Sequence, residues 1–265
     1  MEQVRTYDAI KAYEESSLKL ADNLVVEAPL QININNQPYT VVMRTPGDDE
    51  YLIQGLLFAE DIYKEQLPLK IKRIDQDRFF NTILDVIIEN EKLGKGYLNK
   101  RTLLSVSSCG ICGKKEIKDL NVEGKNLHTQ LQLSLLEIKA MFDVMLQQQN
   151  TFQLTGGSHA CSIFNSNKRI IVAKEDIGRH NAVDKCIGYL LRKNKLSQAS
   201  MMLVSGRVSY EIVSKAFFAK IPIIIAVSAC SSLAVDFAKE FGICLIGFSR
   251  QNKITIYSNP QYISQ

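Results

Sequence analysis

No stretch of the 265-residue chain approaches the roughly 18 apolar residues that a membrane-spanning helix needs. Residues 1–19 are polar and charged and lack the apolar centre of an export signal. The expectation is a cytoplasmic protein with no membrane partner. Charge of one sign is also scarce. A net charge of +4 is too small to argue for nucleic acid, and doublets such as Lys114-Lys115 and Arg192-Lys193 read as solvated surface. The six cysteines, at 109, 112, 161, 186, 230 and 244, are too widely and irregularly spaced for a disulfide framework. Cys186 and Cys244 fall inside apolar patterns and read as small core residues. No Walker loop and no GxGxxG is present, so neither common nucleotide fingerprint applies. The His-x-Glu of the zinc deaminases is missing too, which argues against deamination.

What the chain does have is a hydrophobic fraction of 46%, enough for a substantial core in one large domain or two small ones. It also has one conspicuous pair of thiols, in Ser107-Ser108-Cys109-Gly110-Ile111-Cys112-Gly113-Lys114-Lys115. A glycine after each cysteine lets the backbone turn sharply, and the two lysines favour the thiolate, the form that attacks and binds metals. Three chemistries fit the pair: redox exchange, half of a zinc site, or a nucleophile that carries sulfur. A zinc site would need ligands from afar, such as His159 and Cys161, because no second CxxC exists. A thioredoxin-like pair usually opens a helix early in a βαβ unit, whereas this one lies among glycines before a polar stretch. That setting suits a loop whose thiol reaches other proteins and holds sulfur as a persulfide.

Taken in order, the first twenty residues read as a loose helix or tail. Residues 31–34 and 39–43 alternate about an Asn35-Asn36-Gln37-Pro38 turn, a hairpin signal. Asp48 is placed to cap a helix with Leu52, Leu56 and Ala59 on one face. Two further strand-like runs, 69–73 and 81–89, complete a small α+β unit ending at the Gly94-Lys95-Gly96 break. Ser134 and Glu137 have capping-box spacing ahead of a core-facing stripe of Leu135, Ile138, Phe142 and Met145. Strand-like runs at 160–164 and 169–173 precede a helix marked by Val183, Ile187, Leu190 and Leu191. In the last third, apolar runs at 201–204, 223–227 and 243–247 alternate with helical stripes, which predicts buried parallel strands with helical crossovers. Residues 254–257 add an edge strand.

In an open α/β sheet, ligands collect at the carboxyl ends of the strands. Those ends here carry Ser205-Gly206-Arg207, Ser228-Ala229-Cys230-Ser231-Ser232 and Phe248-Ser249-Arg250-Gln251-Asn252-Lys253. Free amides before a helix bind anions, arginine offers a forked donor for phosphate, and Phe248 can stack on a base. A phosphorylated, nucleotide-like ligand fits this set, and so do ordinary caps and turns. His180, flanked by Arg179 and Asp176 at an expected helix start, stands out among the three histidines.

Together, Cys109-Gly110-Ile111-Cys112-Gly113, Thr155-Gly156-Gly157-Ser158-His159-Ala160, the run 175–185, the run 205–212, Ala226-Val227-Ser228-Ala229 and the run 231–235 resemble the FdhD/NarQ family in content and order. Met43-Arg44-Thr45-Pro46-Gly47 fits as well, and the resemblance spans about residues 20–258. It implies an α/β fold: a cytidine-deaminase-like three-layer α/β domain over 101–265 with a smaller N-terminal α+β domain over 20–100. It implies a sulfurtransferase that accepts sulfur from a cysteine desulfurase. The acceptor would be the molybdenum or tungsten bis(molybdopterin guanine dinucleotide) cofactor, bound as a substrate through its GMP-like end and needed for formate dehydrogenase. Cys109 matches the family's persulfide cysteine, and Cys112 is its partner. Phe248, Ser249, Arg250, Gln251, Asn252 and Lys253 match the cofactor-binding segment, with Arg207 and His180 as further contacts. A homodimer and no permanently bound metal are expected. Gln251 and Asn252 stand where the family usually has glycine, and Cys230 where proline is common. The alternative from another class is a molybdenum-cofactor chaperone that transfers no sulfur.

Overall fold

The computed structural model describes residues 3–63, 65–98, 125–250 and 253–264. The chain begins with a hairpin, β1 (Val4–Ala12) and β2 (Ser17–Val25), paired antiparallel from Val4↔Val25 to Ala12↔Ser17. This corrects the expected helix or tail. Most side chains on both strands face solvent, so the alternation that betrays a half-buried strand is absent from the sequence.

Next comes a four-stranded sheet in the order β4-β3-β6-β5, made of β3 (Ala28–Ile34), β4 (Gln37–Arg44), β5 (Lys70–Gln76) and β6 (Thr82–Ile87). Ala28, Leu30, Ile32 and Ile34 are buried at every second position of β3, as the pleat demands. Asn35 and Asn36 turn the expected hairpin with positive φ at both positions, 51° and 63°, a conformation asparagine tolerates. Helix α1 (Asp49–Ala59) packs on this sheet. Asp48 precedes it as expected but makes no side-chain cap. Its carboxylate instead receives Lys174 Nζ at 3.0 Å, while Asp49 pairs with buried Arg44 at 2.9 Å. The Gly94-Lys95-Gly96 break is in fact the start of a short helix, α2 (Lys95–Leu98), where both glycines sit against the carbonyls of Glu60 and Asp61.

The larger sheet has six strands: β7 (His159–Phe164), β8 (Ile170–Asp176), β9 (Met201–Val204), β10 (Ile223–Ala226), β11 (Cys244–Arg250) and β12 (Lys253–Ser258). Their order is β12-β11-β10-β9-β7-β8. The three apolar runs of the last third form its parallel centre, β9, β10 and β11, and β12 closes the edge antiparallel. Helices α5 (Arg179–Arg192), α6 (Tyr210–Phe218) and α7 (Ser232–Glu240) cover one face. The other face is covered by α3 (Leu135–Gln147), giving three layers and the α/β class expected. The short helix α4 (Asn150–Thr155) links α3 to β7. The capping box of α3 is present, with Ser134 and Glu137 bonded reciprocally. Its buried stripe is Ile138, Met141 and Met145, whereas Leu135 is 48% exposed. Leu133, just before the cap, goes under instead, at the position from which a hydrophobic staple meets Ile138.

Helix α1 is buried from Leu52 through Phe58, because its second face lies on α5. Backbone meets backbone there. A Cβ on Gly55 would overlap the Asp184 carbonyl, and one on Gly188 the Tyr51 carbonyl. Alanine is the better helix former by about 1 kcal/mol, but backbone overlap cannot be relieved by rotating a side chain. Gly188→Ala is therefore expected to destabilise the protein by about 1–3 kcal/mol, read from the urea midpoint. An unchanged or higher midpoint would show that the helices have room to part.

Candidate functional site at the carboxyl ends of the strands

Antiparallel pairing brings the start of β7 to the end of β9. Cys161 lies opposite Val204, the Ala160 amide donates to Ser205 Oγ at 2.9 Å, and the Ser205 amide donates back to the Ala160 carbonyl at 3.0 Å. His159 therefore stands beside Gly206, across from Asp176 at the end of β8. Three residues after Asp176 the chain enters α5.

Asp176 is fully buried and fixes that entry. It accepts Lys185 Nζ at 2.7 Å, the Gly178 amide at 2.8 Å, Asn181 Nδ2 at 2.9 Å and the Thr45 amide at 3.2 Å. Lys185 also donates to the Thr45 carbonyl at 2.9 Å, and Asn181 to the Met43 carbonyl at 2.8 Å. The Met43-Arg44-Thr45-Pro46-Gly47 segment thus holds the start of α5 from the far side of the sequence. A charge pair this deep is tolerable because nearly every lone pair and proton has a partner.

In the first turn of α5, His180 Nε2 lies 2.9 Å from Glu211 Oε2 and 3.0 Å from Ser209 Oγ, both at the start of α6. Burial alone would raise the Glu211 carboxyl, but the His180 hydrogen bond and charge, with Lys215 beyond, hold it below its ordinary value. His159 is pushed down, first by burial and then by the positive charge of Arg179. Both shifts make the protein sensitive to acid. A histidine depressed below 6.5 contributes in full above that pH and loses its contribution as pH falls through it. Glu211 contributes above 4.5 and loses its contribution as pH falls through its lowered folded value. The melting temperature is expected to fall from pH 7 to pH 5, with a shallower slope in His159→Gln. Identical slopes would remove His159 from the account.

The other strand ends lie alongside. Val208 and Cys230 form an isolated bridge between the loops after β9 and β10, and the Phe248 amide donates to the Ser228 carbonyl at 3.0 Å. Phe248 adopts a positive φ of 51°, a strained conformation for an aromatic residue and of the kind that concentrates at ligand sites. Ser249 is buried with its Oγ unpartnered. Cys230 packs close to Gly247, and burial pushes its thiol up to about 12, which makes it a poor nucleophile. Cys161 lies fully buried in the core beneath α5, and that burial pushes its thiol well up. Among the described residues no three His, Cys, Asp or Glu side chains gather to hold a metal, and no helix is long and apolar enough to cross a membrane.

Of the residues singled out in the sequence, His180, Arg207, Phe248, Ser249 and Lys253 lie around this end of the sheet, and Arg250 closes β11 there. Cys109, Cys112, Gln251 and Asn252 lie outside the described residues. Sequence reasoning gave no role to Ser209, Glu211 or Lys185, and considered His159 only as a distant zinc ligand. The usable signal was polar residues at successive helix starts, each directly following a strand.

A mixed six-stranded sheet between two helical layers, with polar side chains gathered at its strand ends, makes this an α/β protein. The model of the FdhD/NarQ family matches residues 25–264. A sulfur carrier protein FdhD from Picrophilus torridus is 38% identical over 250 residues, covering 92% of this chain and 93% of that protein. Another from Saccharolobus solfataricus is 35% identical over 266 residues, covering 98% of each. A crystal structure described as a formate dehydrogenase accessory protein from Desulfotalea psychrophila superposes with a TM-score of 0.78 at 23% identity, over 99% of this chain and 100% of that one. That likeness speaks to the fold. The chain belongs to the FdhD/NarQ family.

Proposed function

We propose that this protein is a sulfurtransferase of the carrier type, with Cys109 as the atom-bearing residue. The thiolate of Cys109 attacks the outer sulfur of a persulfide on a cysteine desulfurase. A new S–S bond forms, the donor's S–S bond breaks, and the donor cysteine leaves as thiolate. No net oxidation occurs in that exchange. Delivering the sulfur onward as sulfide takes two electrons, which Cys112 supplies by forming a disulfide with Cys109. The acceptor is the molybdenum or tungsten bis(molybdopterin guanine dinucleotide) of formate dehydrogenase, held as a substrate. Phe248 stacks on its guanine, and the polar run through Lys253 contacts it, with Arg207 and His180 nearby. The setting is a cytoplasmic homodimer.

The observation that carries this reading is the family membership, whose relatives are named sulfur carriers along nearly their whole length. The strained Phe248 and the unpartnered Ser249 beside it support the cofactor segment. The test is intact mass spectrometry after incubation with a cysteine desulfurase and cysteine. A gain of one sulfur, removed by reductant, is expected. No gain with a competent donor would leave a cofactor-binding chaperone as the better account.

A further inference from the structure

The four-stranded sheet carries a cleft of about 540 Å³, a size that small-molecule sites commonly have. The start of α1, from Gly47 to Tyr51, forms one wall, and Ile71, Arg73 and Leu84 of β5 and β6 form the other. Arg73 stands opposite Leu84 in the β5–β6 ladder, so it shares the face of Leu84, which is buried against α1. The ladder slips straight after it, between Arg73 and Asp75, a bulge of the kind that re-aims a side chain. Three acids, Asp48, Asp49 and Glu50, line the same cleft, yet among the described residues none forms an ion pair with Arg73. Each has another cation. Asp48 takes Lys174 through both oxygens, and Asp49 takes both arms of buried Arg44, so these two acids are used up. Glu50 takes Arg192 through Oε2 alone, and its side chain stays 54% exposed. One uncommitted guanidinium on the β5 wall thus faces one uncommitted carboxylate oxygen on the α1 wall, over the apolar side chains of Ile71 and Leu84. An inward charge also guards an edge strand against stray pairing, but that role asks nothing of the opposite wall. A simple anion would meet Glu50 and a simple cation would meet Arg73, and each such like-charge contact disfavours its ligand. A ligand that carries both charges and an apolar group satisfies all three surfaces.

We propose that this cleft binds an apolar α-amino acid, with the carboxylate on Arg73, the ammonium on Glu50 Oε1 and the side chain over Ile71 and Leu84. The site belongs to the N-terminal sheet and is independent of the sulfur-carrier reading. Arg73 is the principal contact, because its forked donors match a carboxylate and no acid competes for them.

Calorimetric titration of the full chain with leucine tests this, on wild type, Arg73→Gln and Glu50→Gln. Three partial ligands accompany it: isocaproate lacks the ammonium, leucinamide the carboxylate and glycine the apolar side chain. Leucine is expected to bind wild type more tightly than any of the three. Arg73→Gln is expected to weaken leucine about tenfold or more, as for the loss of a charged hydrogen-bonding partner, and to leave leucinamide unchanged. Glu50→Gln is expected to weaken leucine and not isocaproate. Both substitutions are at exposed side chains, and melting temperatures near wild type show that the variants fold. Absence of leucine binding to wild type overturns the site, as does wild-type leucine affinity in Arg73→Gln. Isocaproate or leucinamide binding as tightly as leucine overturns the assignment of a doubly charged ligand.

Discussion

Cys109→Ala is expected to gain no sulfur from a cysteine desulfurase and to lose all ability to activate formate dehydrogenase in a strain lacking the wild-type protein. The effect should be complete, because no described cysteine can substitute. Cys161, Cys186 and Cys244 are buried in the core, and Cys230 is held as a thiol by a value pushed up to about 12. Cys109 has the opposite setting in the sequence, with a glycine after each cysteine of its pair and Lys114-Lys115 close behind. The companion Cys112→Ala separates loading from delivery. It is expected to take up one sulfur and then retain it, because the second thiol that would release it as sulfide is gone. A Cys109→Ala protein that still activates the dehydrogenase would replace the carrier with a cofactor chaperone. Loss of loading in Cys112→Ala alone would exchange the roles of the two cysteines.

The second large effect is on stability. Lys185→Ala leaves Asp176 charged at zero exposure with its cation removed. Losing one partner of a buried pair costs about 3–5 kcal/mol, far more than the pair itself contributes. For a chain of this size the melting temperature should fall by roughly 10 °C. Removing both charges, as in Asp176→Asn with Lys185→Met, should recover much of the loss, because the uncompensated charge is what costs most. Circular dichroism melts check both variants. Equal melting for the single and double variants would mean that the hydrogen bonds of Asp176, and not its charge, hold the start of α5. Because those bonds place His180, beside the proposed cofactor segment, the single variant should also bind GDP more weakly.

Much of the fold was legible because burial writes a period into sequence. The runs 201–204 and 223–227 could only be central strands, and β3 alternates to the residue. The capping box of α3 carried its own chemistry. Legibility failed where burial is absent or comes from two sides. β1 and β2 bury almost nothing, so no pattern distinguished them from a tail. α1 buries every side from Leu52 to Phe58, so the stripe of Leu52, Leu56 and Ala59 described only part of it. Asp48 looked like a cap, but Lys174, distant in sequence, takes its carboxylate. The candidate site followed the same rule. Its strand-end residues were named from motif and position. The pairing of His180 with Glu211 depends on how α5 and α6 lie together, which no local pattern states.

The ties from Thr45 and Met43 to the start of α5 bridge more than 130 positions. In a chain leaving the ribosome, neither end of that tie can be made until the α5 segment has emerged. The ends of β10 and β11 follow later still. Closing a loop this long adds little to the entropic cost, which grows only with the logarithm of length, but it slows the search for the native arrangement. The cluster at the carboxyl ends of the strands is thus among the last features to be assembled during synthesis, and a partly made chain presents none of it.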